Sequence, residues 1–196
     1  QFKYVSLLLT GNGTNGAQNN TFLDSSTNNF TITRNGNTTQ GSFSPYGSLW
    51  SNYFNGSTDY LRKSYTSNFS FTGDYTLECW FYANSTSPSA QPIFAHEDSG
   101  GWFLNLSLFS GGAKAWTRDT GTYQTFTFSW SANTWYHLAF VANGTTRTIY
   151  LNGVAVATQT DSTSLSTSSG GYINIGAIPS SSVYFGGYIS NLRVTN

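Results

Sequence analysis

Residues 135–160 read WYHLAFVANGTTRTIYLNGVAVATQT, and this stretch decides the fold. Aromatic and β-branched residues over 135–141 predict a strand. Asn143-Gly144 predicts a turn, 147–151 a second strand, Asn152-Gly153 a second turn and 154–158 a third strand. Asn-Gly supplies the positive φ values that two-residue hairpin turns need, so three consecutive antiparallel strands follow from local chemistry alone. The same reading applied outward predicts strands at 5–9, 30–34, 51–54, 75–82, 93–96, 102–108, 113–118, 125–128, 172–175 and 187–194, separated by Gly-, Asn- and Ser-rich loops. In TLECWFY, alternation places Leu77, Cys79 and Phe81 on one face and Thr76, Glu78, Trp80 and Tyr82 on the other. Bulk on both faces predicts a central strand. Ten or more short strands with no helical periodicity predict an all-β fold, a two-sheet antiparallel jelly-roll sandwich rather than a seven-stranded immunoglobulin domain.

At 196 residues the chain fits one domain over its whole length. Charged residues are 8% and the formal net charge is zero, so there is no basic face for nucleic acid or for an anionic membrane surface. No apolar run reaches transmembrane length. The single cysteine, Cys79, excludes an intrachain disulfide and is expected to pack as a small apolar residue. Aromatics are 17%, enough to fill a broad core and cover pleated faces. Met is absent, so Gln1 is not a translation start, and a segment of a longer or repeated protein is expected.

Several blocks in order resemble the laminin G-like modules of the concanavalin A-like lectin/glucanase class. They are VSLLLTGNGTNG with LDSSTNNFTIT, then YFNGSTDYL, FTGDYTLECWFYAN, the 135–160 hairpins, YINIGA and GGYISNLRVTN. The run LDSSTNNFTITRNGNTTQGSFSPYGSLWSNYFNGSTDYL is in addition similar to modules of this type in bacteriophage structural proteins. The resemblance implies a non-enzymatic binding or structural module at a virion surface, in a fibre, decoration or adhesin. Its partners would be other virion or surface proteins, further copies of itself and host-surface glycan. A secreted bacterial adhesin or lectin domain is the alternative, and a divergent glycosidase a third.

Each class carries residue expectations. A glycosidase needs paired carboxylates, about 5.5 Å apart for retention or about 6.5–9.5 Å for inversion. The only glutamates are Glu78 and Glu97, and neither stands in the paired-carboxylate strand motif of the glucanases. His96 and His137 lack a nucleophile elbow to serve. For glycan binding, AWTRDTGTYQ sets Trp116, Arg118, Asp119 and Tyr123 around a Gly-centred turn, and HEDSGGW brings Asp98 and Trp102 near it. The plainer reading is that Trp116 plugs the sandwich end and Arg118–Asp119 is a solvated turn. The family resemblance also implies a calcium site at the rim, with Asp24 as a ligand. Calcium takes about six to eight oxygen ligands. The acidic residue of the family's closing strand is replaced here by Ser190 and Asn191. An Asx-turn, in which the Asp24 carboxylate accepts backbone N–H groups, is the competing reading.

Overall fold

The computed structural model describes residues 4–11, 22–47, 50–87, 90–99, 101–117, 121–161 and 170–196, together with the backbone but not the side chain of Trp102. In chain order the strands are β1 (Val5–Leu9), β2 (Phe22–Leu23), β3 (Thr31–Asn35), β4 (Thr39–Gly41), β5 (Ser51–Asn55) and β6 (Tyr60–Ser64). Then come β7 (Tyr75–Ala83), β8 (Gln91–Asp98), β9 (Gly101–Phe109), β10 (Gly112–Thr117), β11 (Tyr123–Thr127) and β12 (Trp135–Asn143). The last are β13 (Thr146–Leu151), β14 (Val154–Thr160), β15 (Tyr172–Ile175), β16 (Ala177–Ile178), β17 (Val183–Tyr184) and β18 (Gly186–Thr195). Among the described residues the helical pieces are two short 3-10 turns, Ser67–Phe69 and Pro179–Ser181.

Two antiparallel sheets carry this all-β jelly-roll sandwich. The back sheet, which holds the first and last strands, runs β14-β13-β12-β7-β18-β5-β4, with β1 also paired to β18. The front sheet runs β11-β10-β9-β8-β15-β6-β3-β2, and β16 and β17 form a ribbon against β8. As its bulk on both faces predicts, β7 is central, flanked by β12 and β18. Its inner residues Tyr75, Leu77, Cys79, Phe81 and Ala83 are buried while Thr76, Glu78, Trp80 and Tyr82 lie on the outer face. Leu104, Leu106 and Leu108 of β9 and Ala113 and Ala115 of β10 complete the core from the other side. Phe126 and Phe140 meet across the two sheets at 5.7 Å. Burial pushes the Cys79 thiol up, out of reach of ordinary thiolate chemistry.

The aromatic residues divide by polarity. The largest fully buried side chains are mostly phenylalanines, among them Phe54, Phe81, Phe94, Phe126 and Phe140, with Tyr75 and Trp130 also in the core. The outer face of the back sheet instead carries Tyr53, Trp80, Tyr82, Trp135 and Tyr188. A ring with a polar group gains by keeping one edge in water, which a pure hydrocarbon ring does not; Trp135, whose Nε1 is buried, is the exception on this face.

The hairpin block forms as expected with one shift of register. Asn152 and Gly153 make the second turn with φ of 50° and 80°. In the first turn Asn143 pairs with Thr146, so the turn residues are Gly144-Thr145 and not Asn143-Gly144. Only Gly144 takes positive φ there, the pattern of a turn with Gly at its first central position. β2, β4, β6 and the β16–β17 ribbon have no counterpart among the predicted strands. YLRKS of β6 carries two adjacent cations and no apolar alternation beyond Leu61, so its pairing with β3 and β15 is a tertiary outcome.

Side-chain locks hold the loops between strands. Asn55 Oδ1 accepts the N–H groups of Ser57, Thr58 and Asp59. Asp59, 1% exposed, accepts from Asn37 N–H at 2.7 Å and Asn55 N–H at 3.2 Å. This is the YFNGSTDYL block, and its function is to close the β5–β6 turn onto the β3–β4 turn.

Candidate functional site

The front sheet opens into a cleft of about 740 Å³ on its outer surface, at the end where the β8–β9 hairpin turns. Its floor is a row of polar side chains from three adjacent strands. On β6, Leu61 points into the core and Arg62 outward, and Arg62 stands opposite Asn174 of β15 in register. Arg62 Nε donates to Asn174 Oδ1 at 2.8 Å, and Asn174 Nδ2 donates to Glu97 Oε2 at 2.7 Å. Ser180 Oγ, from the turn between β16 and β17, donates to Glu97 Oε1. The Arg62 guanidinium also lies 4.3 Å over the Tyr172 ring and 5.0 Å over the Tyr60 ring. Tyr172 nonetheless stays 46% exposed. Asp98, Ser99 and Gly101 form the rim.

Gly171 is fixed by geometry. Its φ is +88°, and a Cβ there would stand 1.9 Å from the Glu97 carbonyl oxygen, so only glycine lets the chain pass this close to β8. Beneath it His96, fully buried, stacks on Tyr65 at 4.8 Å and has Nε2 3.0 Å from the Gly170 carbonyl. His96 is therefore a packing residue that seats the 170–171 turn.

The expected glycan residues are distributed as follows. Asp98 lines the cleft. Trp102 lies opposite Glu97 in the β8–β9 register. Trp116 and Tyr123 pair across β10 and β11, and Tyr123 is 44% exposed. They belong to the same end of the same sheet but do not line the cleft: β9 separates β10 from β8, a spacing of roughly 10 Å. Arg118 and Asp119 lie outside the described residues. Burial raises the Tyr123 phenol, with a hydrogen bond to Asn105 acting against it. Arg62, Asn174, Tyr172 and Ser180 escaped sequence reasoning. Only the alternation of Leu61 and Arg62 carried any signal, and it was masked by the neighbouring Lys63.

Asp24 is 3% exposed and its carboxylate is fully engaged by protein donors. Oδ1 accepts Leu8 N–H at 3.0 Å and Ser26 N–H at 2.9 Å. Oδ2 accepts Ser26 Oγ–H at 2.8 Å and Phe30 N–H at 3.0 Å. A cation needs those lone pairs, so this donor set does not fit calcium; it fits a loop lock in which the carboxylate caps backbone N–H groups. Ser190 is fully buried and donates to the Trp50 carbonyl at 2.7 Å, while Asn191 takes φ of +50° at a register shift in β18. Among the described residues no group of three His, Cys, Asp or Glu side chains converges as a metal site would require.

Glu78 and Glu97 lie on different sheets, each on an outward-facing surface, so they form no catalytic pair. Glu97 and Asp98 both reach the cleft because β8 shifts register between His96 and Glu97, which breaks strict alternation. Glu78 is held by Arg193 at Oε1 and by His137 Nε2 at 3.2 Å from Oε2. The hydrogen bond from His137, aided by Arg193 and opposed by burial, holds its carboxyl below the ordinary value of 4.5. A depressed folded-state value means the stabilisation is complete above the unfolded value and is lost as pH falls through the folded one. The melting temperature of the native chain is therefore expected to fall below about pH 4.5 more steeply than that of Glu78→Gln. Parallel slopes in acid would show that Glu78 contributes nothing to this fall.

Comparison with known proteins places this architecture. A binding domain of Paraclostridial Mosquitocidal Protein 1 superposes with a TM-score of 0.76 at 13% identity, over 100% of this chain and 49% of that one. The receptor binding domain of botulinum neurotoxin C/D mosaic serotype gives 0.75 at 13% identity, over 100% of this chain and 48% of that one. A structure of botulinum neurotoxin type C, described in terms of cell entry and interaction with two ganglioside molecules, gives 0.72 at 13% identity, over 99% and 48%. The chain thus spans about half the length of each of these structures, which are toxin binding domains and not phage proteins. At this identity the likeness is one of fold. Among proteins with curated descriptions none matches the chain in sequence. The laminin G-type model described as "Concanavalin A-like lectin/glucanases superfamily" matches residues 54–196, and the chain belongs to that superfamily.

Proposed function

We propose that this chain is a non-enzymatic carbohydrate-binding module and that the front-sheet cleft is its binding site. The observation that carries the reading is the Arg62–Asn174–Glu97 row beside the exposed Tyr172 ring. Each polar group is held in place by its neighbour, so a ligand meets a preorganised surface and little side-chain entropy is lost on binding. Glu97 and Asp98 offer acceptors to sugar hydroxyls, Arg62 offers donors, and Tyr172 offers a ring to an apolar sugar face. Among the described residues the cleft sets the Arg62 guanidinium against the carboxylates of Glu97 and Asp98. Engagement of both Glu97 oxygens by Asn174 and Ser180 fits a positioning group better than a general acid or nucleophile. Family membership agrees with a lectin-like role, and one of the similar toxin structures is a complex with SialylT.

A glycan array on the purified chain, with calcium and with chelator, tests this. Binding is expected in both conditions. Arg62→Ala and Glu97→Gln are each expected to weaken it by about tenfold or more, since a charge-assisted hydrogen bond contributes about 1.5–3 kcal/mol. Unchanged affinity in both folded variants, or cleavage of a bound oligosaccharide, would overturn the reading.

The finer placement at a virion surface rests on the sequence likeness of 23–61 to phage modules. In that setting the module joins other particle proteins or copies of itself and presents the cleft to host glycan. Antibody against the domain decorating purified particles supports this placement; decoration of a bacterial cell surface supports the secreted adhesin instead.

A further inference from the structure

The back sheet has its own concavity, of about 460 Å³, lined by Tyr46, Trp80, Trp135, His137 and Asn152. It lies on the outer face of the sheet opposite to the one that carries the cleft. Trp80 of β7 and His137 of β12 are register partners, with ring centroids 5.4 Å apart. Trp135 lies two residues before His137 on the same face of β12. The β4–β5 loop supplies the remaining wall: Phe43 anchors it on Tyr82 at 4.9 Å and Tyr188 at 4.8 Å, which sets Tyr46 edge-on to Trp80 at 5.3 Å. Phe43 and Tyr46 keep 46% and 40% of their surface in water, an exposure that a merely covering loop does not require.

The polar groups of this pocket are few and ordered. Asn152, in the left-handed region at the β13–β14 turn, folds its side chain back so that Oδ1 accepts His137 N–H at 2.8 Å. That bond fixes the amide and leaves its NH₂ end to donate elsewhere. Behind the pocket, the Glu78 carboxylate is held by the His137 ring and by Arg193, whose guanidinium matches its charge.

We propose that this pocket is a second sugar-binding site, independent of the front-sheet cleft, and that it takes the ring face of a neutral hexopyranose. The ligand it fits has a flat apolar face for the indole and phenol rings, hydroxyls for the Asn152 amide and the imidazole, and no charge. An anion finds no free cation here. A quaternary ammonium needs several ring faces turned toward it; Tyr46 and Trp80 instead meet at 76°, edge against face, with Arg193 and His137 nearby. With a site on each outer face, one chain could bridge two glycan strands.

The test is titration of the purified chain with cellohexaose, maltohexaose and laminarihexaose, with choline chloride and sialyllactose as controls. Tryptophan fluorescence and calorimetry are read for the native chain, Trp80→Ala, Tyr46→Ala, Asn152→Gly and Arg62→Ala. Glycine at 152 keeps the turn, because it accepts positive φ, and removes only the amide. The expected result is that one neutral oligosaccharide binds with a fluorescence change, that Trp80→Ala and Tyr46→Ala each weaken it about tenfold, and that Asn152→Gly weakens it severalfold. Arg62→Ala weakens the cleft alone, so calorimetry loses that site while the fluorescence-reported site at Trp80 is kept. Tyr46 lies on a surface loop, so its variant serves if Trp80→Ala fails to fold. Sugar binding lost in Arg62→Ala and kept in the pocket variants sinks this proposal and leaves the cleft reading standing; a fluorescence-detected site lost in the pocket variants and kept in Arg62→Ala supports it, and the cleft reading then stands or falls on whether calorimetry of Arg62→Ala shows a second site lost. No neutral sugar bound, or a choline response removed by Trp80→Ala, also overturns it.

Discussion

Asp24→Ala is expected to lower the stability of the chain by about 3 kcal/mol or more, one of the largest effects of any loop substitution. The carboxylate accepts three backbone N–H groups and one hydroxyl while almost wholly buried. Removing it strands the buried Ser26 donor and the half-buried Leu8 and Phe30 donors, and each unsatisfied buried donor costs about 1–3 kcal/mol. It also uncouples β1 from the segment that leads into β3. For a chain of this length about 3 kcal/mol corresponds to roughly 10 °C in melting temperature. Asp24→Asn keeps one acceptor oxygen and should fall between the two. Thermal unfolding checks all three proteins, and it also separates the lock from a metal site. If the carboxylate is a lock, calcium and chelator leave the melting temperature of the native chain unchanged. A calcium-dependent shift that disappears in Asp24→Asn would restore the metal reading.

Phe81→Ala and Trp80→Ala are expected to behave as opposites although they are neighbours on β7. Phe81 is fully buried and packs against Trp130 at 5.6 Å and Tyr136 at 5.6 Å. Its truncation loses the transfer energy of the ring and leaves a cavity in a two-sheet core that collapses poorly, about 3–5 kcal/mol in all. Trp80 faces outward, and its truncation should cost roughly 1 kcal/mol, the scale of one aromatic contact at a surface. Binding reverses the order: Phe81→Ala, where folded, keeps its affinity for oligosaccharide at the back-sheet pocket and Trp80→Ala binds about tenfold more weakly. Chemical denaturation gives the first quantity and calorimetric titration the second. Equal destabilisation by the two would mean that Trp80 is a structural residue, with no separate role in the pocket.

The two faces of β7 also show how far the sequence reaches. TLECWFY alternates with period two, and that alone assigns Phe81 to one face and Trp80 to the other. The alternation does not say which face is core, because both carry bulk. Polarity hints at it, since tryptophan and tyrosine hold a group that seeks water. The hairpins of 135–160 were legible because Asn-Gly acts over two residues. Even there the first turn moved by one position: Asn143 pairs with Thr146, and the distant Asp74 carboxylate accepts the Gly144 N–H at 2.7 Å. β6 was not legible: YLRKS has the composition of a loop and becomes a strand only between β3 and β15.

The candidate sites lay still further from view. Asp98 could be placed beside the β8–β9 turn from sequence, but Arg62, Glu97 and Asn174 are separated by up to 112 positions and meet only because β6, β15 and β8 are adjacent in the front sheet. Tyr46, Trp80, Trp135 and Asn152 likewise come from four separate segments. By itself the sequence determined what short-range chemistry determines: an all-β chain, its main strands, the Asn152-Gly153 turn, a neutral net charge and enough aromatic bulk for a broad core. Strand order, the choice of outer surface and both pockets were decided by tertiary structure. Backbone periodicity acts over a few residues, whereas a binding surface is assembled from whichever strands the sheet brings side by side.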